Sequence, residues 1–271
     1  MGMRDVANTA DLEQRVNKIE CWGQLEDELM KASHLPGPRA NLALAGNFAD
    51  LYARVEVSDT AWKLLVTWAA IKDCEAQTGD PREFLPFCAV CACGTYYGFA
   101  AEDHRDEIRQ ILRSAMNDSR WRMREAAAMT LQSIGERDFT LLKALLDHWR
   151  QQANPLEQRA FIAALAHPPL LKDNEVCLYS LILADEIMEG LRSSEEPGDA
   201  EHTKVLIKGL EYGLSVLAAD APEEGFALLR KYAESGDVRY IKIVKSNLGK
   251  TRLSKKYASE VSAILTGLTN V

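Results

Sequence analysis

Apolar residues recur at helical spacing along most of the chain. Leu12, Val16, Ile19, Trp22, Leu25 and Leu29 follow at intervals of three and four, which places them on one stripe of a single first helix. Pro36-Gly37-Pro38 ends that unit, and Pro38 is suited to open the next helix, because a first helical residue needs no amide donor. Leu42, Ala45, Phe48 and Leu51 form a second stripe. Trp62, Leu65 and Ala69 form a third, behind a cap at Ser58 or Asp59.

The later helix starts share one grammar. Gly79-Asp80-Pro81 reads as a break, a cap and a first-turn proline. Asp118, Asp138, Asn154 and Ser254 each stand where a side-chain oxygen can accept from the open amides of a first turn. No stretch alternates apolar and polar residues between hairpin turns, so no strand is predicted. The pattern predicts an all-α chain of about a dozen helices, forming a single domain over residues 1–271. Its long polar interruption, Ser193 to Glu201, reads as a solvated loop, with a linker between two lobes as the alternative.

One segment has a more specific pattern. Asp118 to Gly135 contains Met123-Arg124, then Ala127, Thr130-Leu131 and Ile134-Gly135. This resembles the second helix of a HEAT repeat, in which small residues let paired helices approach and a closing glycine permits a left-handed cap. Gln158-Arg159-Ala160 with Ala163-Ala164-Leu165, and Val238-Arg239 with Asn247-Leu248-Gly249, follow the pattern more loosely. The resemblance implies an α-solenoid of antiparallel helical hairpins, each sheltering a stripe it cannot bury alone.

A narrower resemblance runs over roughly residues 80–256, where the Val238–Leu253 run looks like the closing repeats of bacterial HEAT-repeat proteins related in fold to DNA alkylation-repair glycosylases. Those enzymes track DNA on a basic concave face and flank the damaged nucleotide with tryptophans and a carboxylate. Here Trp62, Trp68, Trp121 and Trp149 have Asp59, Asp118 and Asp147 nearby but do not reproduce that paired motif, so no catalytic residue is carried over.

Charge sharpens the picture at one place. The chain has a net charge of −8, yet residues 229–256 sum to +7 and the remainder to −15. Along a helix through this segment, Ile241, Val244 and Leu248 turn one way, while Arg239, Lys242 and Lys245 spread over the other side. Lys250 and Arg252 continue the positive run. These five are the candidate anion- or partner-binding residues. Set against that is a solvated face, with cations where a helix dipole favours them.

The remaining chemistry is sparse. Cys88, Cys91 and Cys93 form C-x-x-C-x-C, but on a helix Cys93 points about 140–160° away from the other two. Reduced, mostly buried thiols are therefore expected at the six cysteines, with no metal and no cofactor. The five histidines are scattered, and no phosphate loop, dinucleotide fingerprint or nucleophile elbow is present. The uncharged run Phe84 to Ala101 contains Pro86, two glycines and three cysteines, and is read as a buried helix that does not cross a membrane. The first residues, Met-Gly-Met-Arg-Asp-Val, lack both a secretory core and a myristoylation serine or threonine, so a cytoplasmic protein is expected. Together these features predict a non-catalytic interaction protein that presents a helical surface to a protein or peptide. The alternative is a nucleic-acid binder using the basic C-terminal repeats.

Overall fold

The computed structural model describes residues 9–191 and 200–269, and every regular element among them is helical. In order these are α1 (Thr9–Val16), α2 (Trp22–Ala32), α3 (Leu42–Asp50), α4 (Asp59–Ala69), α5 (Phe84–Tyr97), α6 (Glu102–Met116), α7 (Trp121–Arg137), α8 (Phe139–Trp149), α9 (Pro155–Leu165), α10 (Asn174–Gly190), α11 (Ala200–Asp220), α12 (Pro222–Ala233), α13 (Val238–Leu248), α14 (Thr251–Ser254) and α15 (Ala258–Thr269). Internal packing divides the chain into two compact units, one ending at Leu141 and the other beginning at Leu142. The segment from Ser193 to residue 199 lies outside the described residues, and Ala200 and Glu201 already belong to α11.

In the N-terminal unit α5 is the centre. Nearly every side chain from Phe84 to Tyr97 is buried, because α2, α3, α4, α6 and α7 all pack against this one helix. The most extensive contacts join alternate helices, α3 with α5 and α5 with α7. Gly94 makes the second of these possible. A Cβ there would meet the Thr130 methyl at 2.7 Å and the Thr130 carbonyl at 2.9 Å. The Thr130 hydroxyl lies 2.8 Å from both the Val90 and the Ala126 carbonyl, so this close approach leaves no polar group stranded. In the C-terminal unit α11 has the same standing, packing on α9 and α13 with α12 alongside.

Several caps form as the sequence pattern predicts. Ser58 accepts from Ala61 N, Asp80 from Arg82 N, Asp138 from Thr140 N, and Asn154 with Glu157 completes a capping box on α9. Ala127, Leu131 and Ile134 of the HEAT-like segment are buried.

Other expectations are corrected. The first stripe is broken into α1 and α2 by a single 3-10 turn, Ile19–Cys21, leaving Ile19 57% exposed. The break is held by Trp22, whose indole N–H donates to the Val16 carbonyl. Pro38 does not open α3. Asn41 caps it instead, accepting from Leu44 N while donating to the Ala32 carbonyl, which ties α2 to α3. Gly135 is no left-handed cap, since α7 continues to Arg137. Ser254 ends α14 rather than starting a helix. Asp118 stands two residues before the N-cap Arg120, accepting from Arg120 N and from the Arg120 guanidinium.

No helix among the described residues is long and apolar enough to cross a membrane. Cys88 and Cys93 are buried within α5, and burial pushes the Cys91 and Cys93 thiols up to about 12. His104 stacks on Trp62, with ring centroids 4.2 Å apart, and its Nδ1 lies 3.0 Å from the Tyr96 hydroxyl.

Candidate functional site

The five cations singled out from sequence divide in the C-terminal unit. Arg239, in the first turn of α13, pairs with Asp237 at 2.8 Å and donates to the Leu191 carbonyl, so it is built into a helix junction. Lys242, Lys250 and Arg252 gather around Glu211 and Tyr212 of α11. Lys245, one turn beyond Lys242 on the exposed side of α13, adds to them. The seam of α13 also differs in detail. Tyr240, Ile243, Val244 and Leu248 are buried, whereas Ile241 is only half-buried.

What sets this arrangement is Asn247, fully buried and inserted into α11. Its Nδ2 donates to the Leu210 carbonyl at 2.8 Å, and its Oδ1 accepts from Ser215 N at 2.7 Å. Nearby, Ser246 donates to the Glu211 carbonyl and Ser215 to the Tyr212 carbonyl. Side chains of α13 thus satisfy backbone groups in the middle of α11, and they lock the two helices in register. This holds Tyr212 at the surface, 52% exposed.

Around that ring the charges are unevenly compensated. The Arg252 guanidinium lies 4.6 Å from the ring centroid and donates to the hydroxyl at 2.7 Å. The Lys250 ammonium lies 5.8 Å from the centroid. Lys242 meets Glu211 Oε1 at 3.2 Å, an ion pair without hydrogen-bond alignment. Lys256 covers Tyr257 at 5.1 Å. Among the described residues, Lys245, Lys250, Arg252, Lys255 and Lys256 have no carboxylate in ion-pair contact. Asp220 stands near enough to feel them: burial raises its carboxyl above the ordinary range, while Lys256 and Arg252 pull it back.

The N-terminal unit holds an apolar concavity that sequence reasoning missed. Pro38, Ala40 and Leu42 lie on one side of it, with Phe87, Met129 and the first turn of α7 on the other, around a volume of about 230 Å³. Leu42 is 51% and Trp121 43% exposed. Beneath Trp121, with its guanidinium 4.5 Å from the ring centroid, is Arg122. Arg122 donates to Glu83 Oε2 at 3.1 Å and to the Gly37 carbonyl at 2.8 Å. Glu83 is fully buried and also accepts from Gly79 N. Gly37 is required here, because a Cβ would fall 2.4 Å from the His34 carbonyl oxygen. The signal for this site in sequence was the exposed-position tryptophan of the Ser-Arg-Trp-Arg run. Its partners lie some forty to eighty residues away, as Glu83 and Gly37 do from Arg122.

Among the described residues no group of three His, Cys, Asp or Glu side chains is placed to hold a metal ion. Comparison with protein-family models, curated proteins and solved structures gives no match. The class defined by the chain's own geometry is therefore an all-helical protein of two compact units, one with a cationic surface and one with an apolar pocket.

Proposed function

We propose that the chain is a non-catalytic interaction protein whose C-terminal unit binds an acidic segment of a protein partner along α13 and α14. The observation that carries this reading is the run of five cations without a carboxylate in ion-pair contact among the described residues, two of them against Tyr212, in a chain whose net charge is −8. An acidic peptide supplies the missing carboxylates, and Arg252 and Lys250 already lie against the Tyr212 ring. The alternative, nucleic acid, is less well supported. The Tyr212 and Tyr257 rings are engaged by the protein's own cations, so they are poor platforms for stacking a base. The packing of alternate helices within each unit supports reading the chain as HEAT-like repeats that offer a surface.

The test is fluorescence anisotropy with a labelled Asp/Glu-rich peptide and with a labelled DNA duplex, each titrated with the full chain at rising salt. Binding of the peptide, weakening with salt and lost in Lys250→Glu/Arg252→Glu, is the expected result. Tighter binding of the duplex than of the peptide would favour the nucleic-acid reading. No binding of either at low salt would discard the patch as an interaction surface.

A further inference from the structure

The Tyr212 hydroxyl accepts from Arg252 Nη2 at 2.7 Å, and a hydroxyl that accepts keeps its own proton to donate. Among the described residues no acceptor takes that proton. The guanidinium is in the same condition, since its Nε and Nη1 have no hydrogen-bond partner there. The Lys250 ammonium lies 5.8 Å from the ring centroid and meets no side-chain oxygen. A phenol, a guanidinium and an ammonium thus stand around one exposed ring with donors still open.

These groups are both reachable and held. Tyr212 is 52% exposed, while Lys250 and Arg252 are half-buried. The carboxylate next to them in α11, Glu211, is turned to another cation, meeting Lys242 at 3.2 Å. It leaves the charge of Lys250 and Arg252 uncompensated.

The kind of anion follows from the donor set. A carboxylate offers two oxygens in one plane and a single charge. A phosphate monoester offers three terminal oxygens at the corners of a tetrahedron and a charge of about −1.5 to −2 near pH 7. The second matches three donor groups and two positive charges, and the open edge of a guanidinium suits a phosphate.

We infer, building on the acidic-segment reading above, that Tyr212, Lys250 and Arg252 receive a phosphate monoester carried on a side chain of that segment. Its oxygens accept from the Tyr212 hydroxyl, the Arg252 guanidinium and the Lys250 ammonium. Lys245, Lys255 and Lys256 remain for the acidic residues that flank it.

The experiment follows the anisotropy of two labelled Asp/Glu-rich peptides with the full chain at about 150 mM salt. They are identical except for a central serine, which is phosphorylated in one. The phosphopeptide is expected to bind about tenfold tighter or more. Tyr212→Phe cuts that ratio several-fold, and Lys250→Gln/Arg252→Gln removes it. Equal affinity for the two peptides, or a ratio that survives the Lys250/Arg252 change, overturns the inference and leaves the acidic-segment reading standing. Binding of neither peptide overturns both. Free O-phosphoserine is added as a competitor. If it displaces the phosphopeptide at concentrations no higher than those of unlabelled phosphopeptide, the site is one for small phosphate esters and the assignment to a protein segment fails.

Discussion

In the N-terminal unit the charges that shape the surface are ones water cannot reach, whereas in the C-terminal unit they stand in solvent and a neutral amide does the buried work. Arg122 and Glu83 sit under an apolar pocket, and Asn247 sits under a cationic patch. Buried ions are held because removing one partner strands the other. The amide carries no charge, so its loss strands only the backbone groups it serves. The difference teaches that a pocket built on a buried ion pair is rigid and stability-linked, while a patch resting on a neutral wedge is free to change its charges with little effect on the fold.

That contrast can be broken or sharpened by substitution. The largest effect is expected from Arg122→Met, which leaves Glu83 buried and unpaired and destabilises the N-terminal unit by about 3–5 kcal/mol in urea unfolding. Adding Glu83→Gln should restore most of that loss, and a double variant no more stable than Arg122→Met alone would show that the pair is not the cause. Next comes Asn247→Leu, which strands Ser215 N and the Leu210 carbonyl at an expected cost of about 2–3 kcal/mol, with hydrogen exchange accelerated at Ser215. Unaltered exchange there would mean that α11 repairs itself without α13.

Gly94→Ala follows at about 1–3 kcal/mol, since the new methyl meets Thr130 at 2.7 Å. The smallest effect belongs to Lys250→Glu/Arg252→Glu, expected within about 0.5 kcal/mol of the parent while acidic-peptide binding disappears. A strongly destabilised variant would place those cations in the fold and not on a binding surface.

How much of this was legible in the chain differs from element to element. Ser58, Asp80-Pro81 and Asn154-Pro155 announce their helices because a cap and the turn it serves are only two or three residues apart. The break between α1 and α2 is hidden, because Ile19 and Trp22 continue an apolar spacing that the chain does not use for one continuous helix. At the turn before α3, two prolines draw the eye while Asn41 supplies the cap, through a bond to Ala32 that no local window contains. The five cations group together in the sequence by charge, and Arg239, Lys242 and Lys245 also by helical angle. Arg239 was not separable from them, because its second bond, to Leu191, is remote in sequence. Tyr212, Asn247 and the Trp121 pocket depend on contacts across dozens of residues, and only the folded chain displays them.

The amide of Asn247 has one more implication, for how this chain tolerates change in length. Each residue along a helix advances about 1.5 Å and turns about 100°, so deleting Lys245 or Ser246 rotates everything before the deletion by that angle. Tyr240 and Ile243, now enclosed, would swing toward water while the wedge stayed in its slot. The α13 segment is therefore phase-locked: its side chains can be exchanged one for one, but its numbering cannot slip.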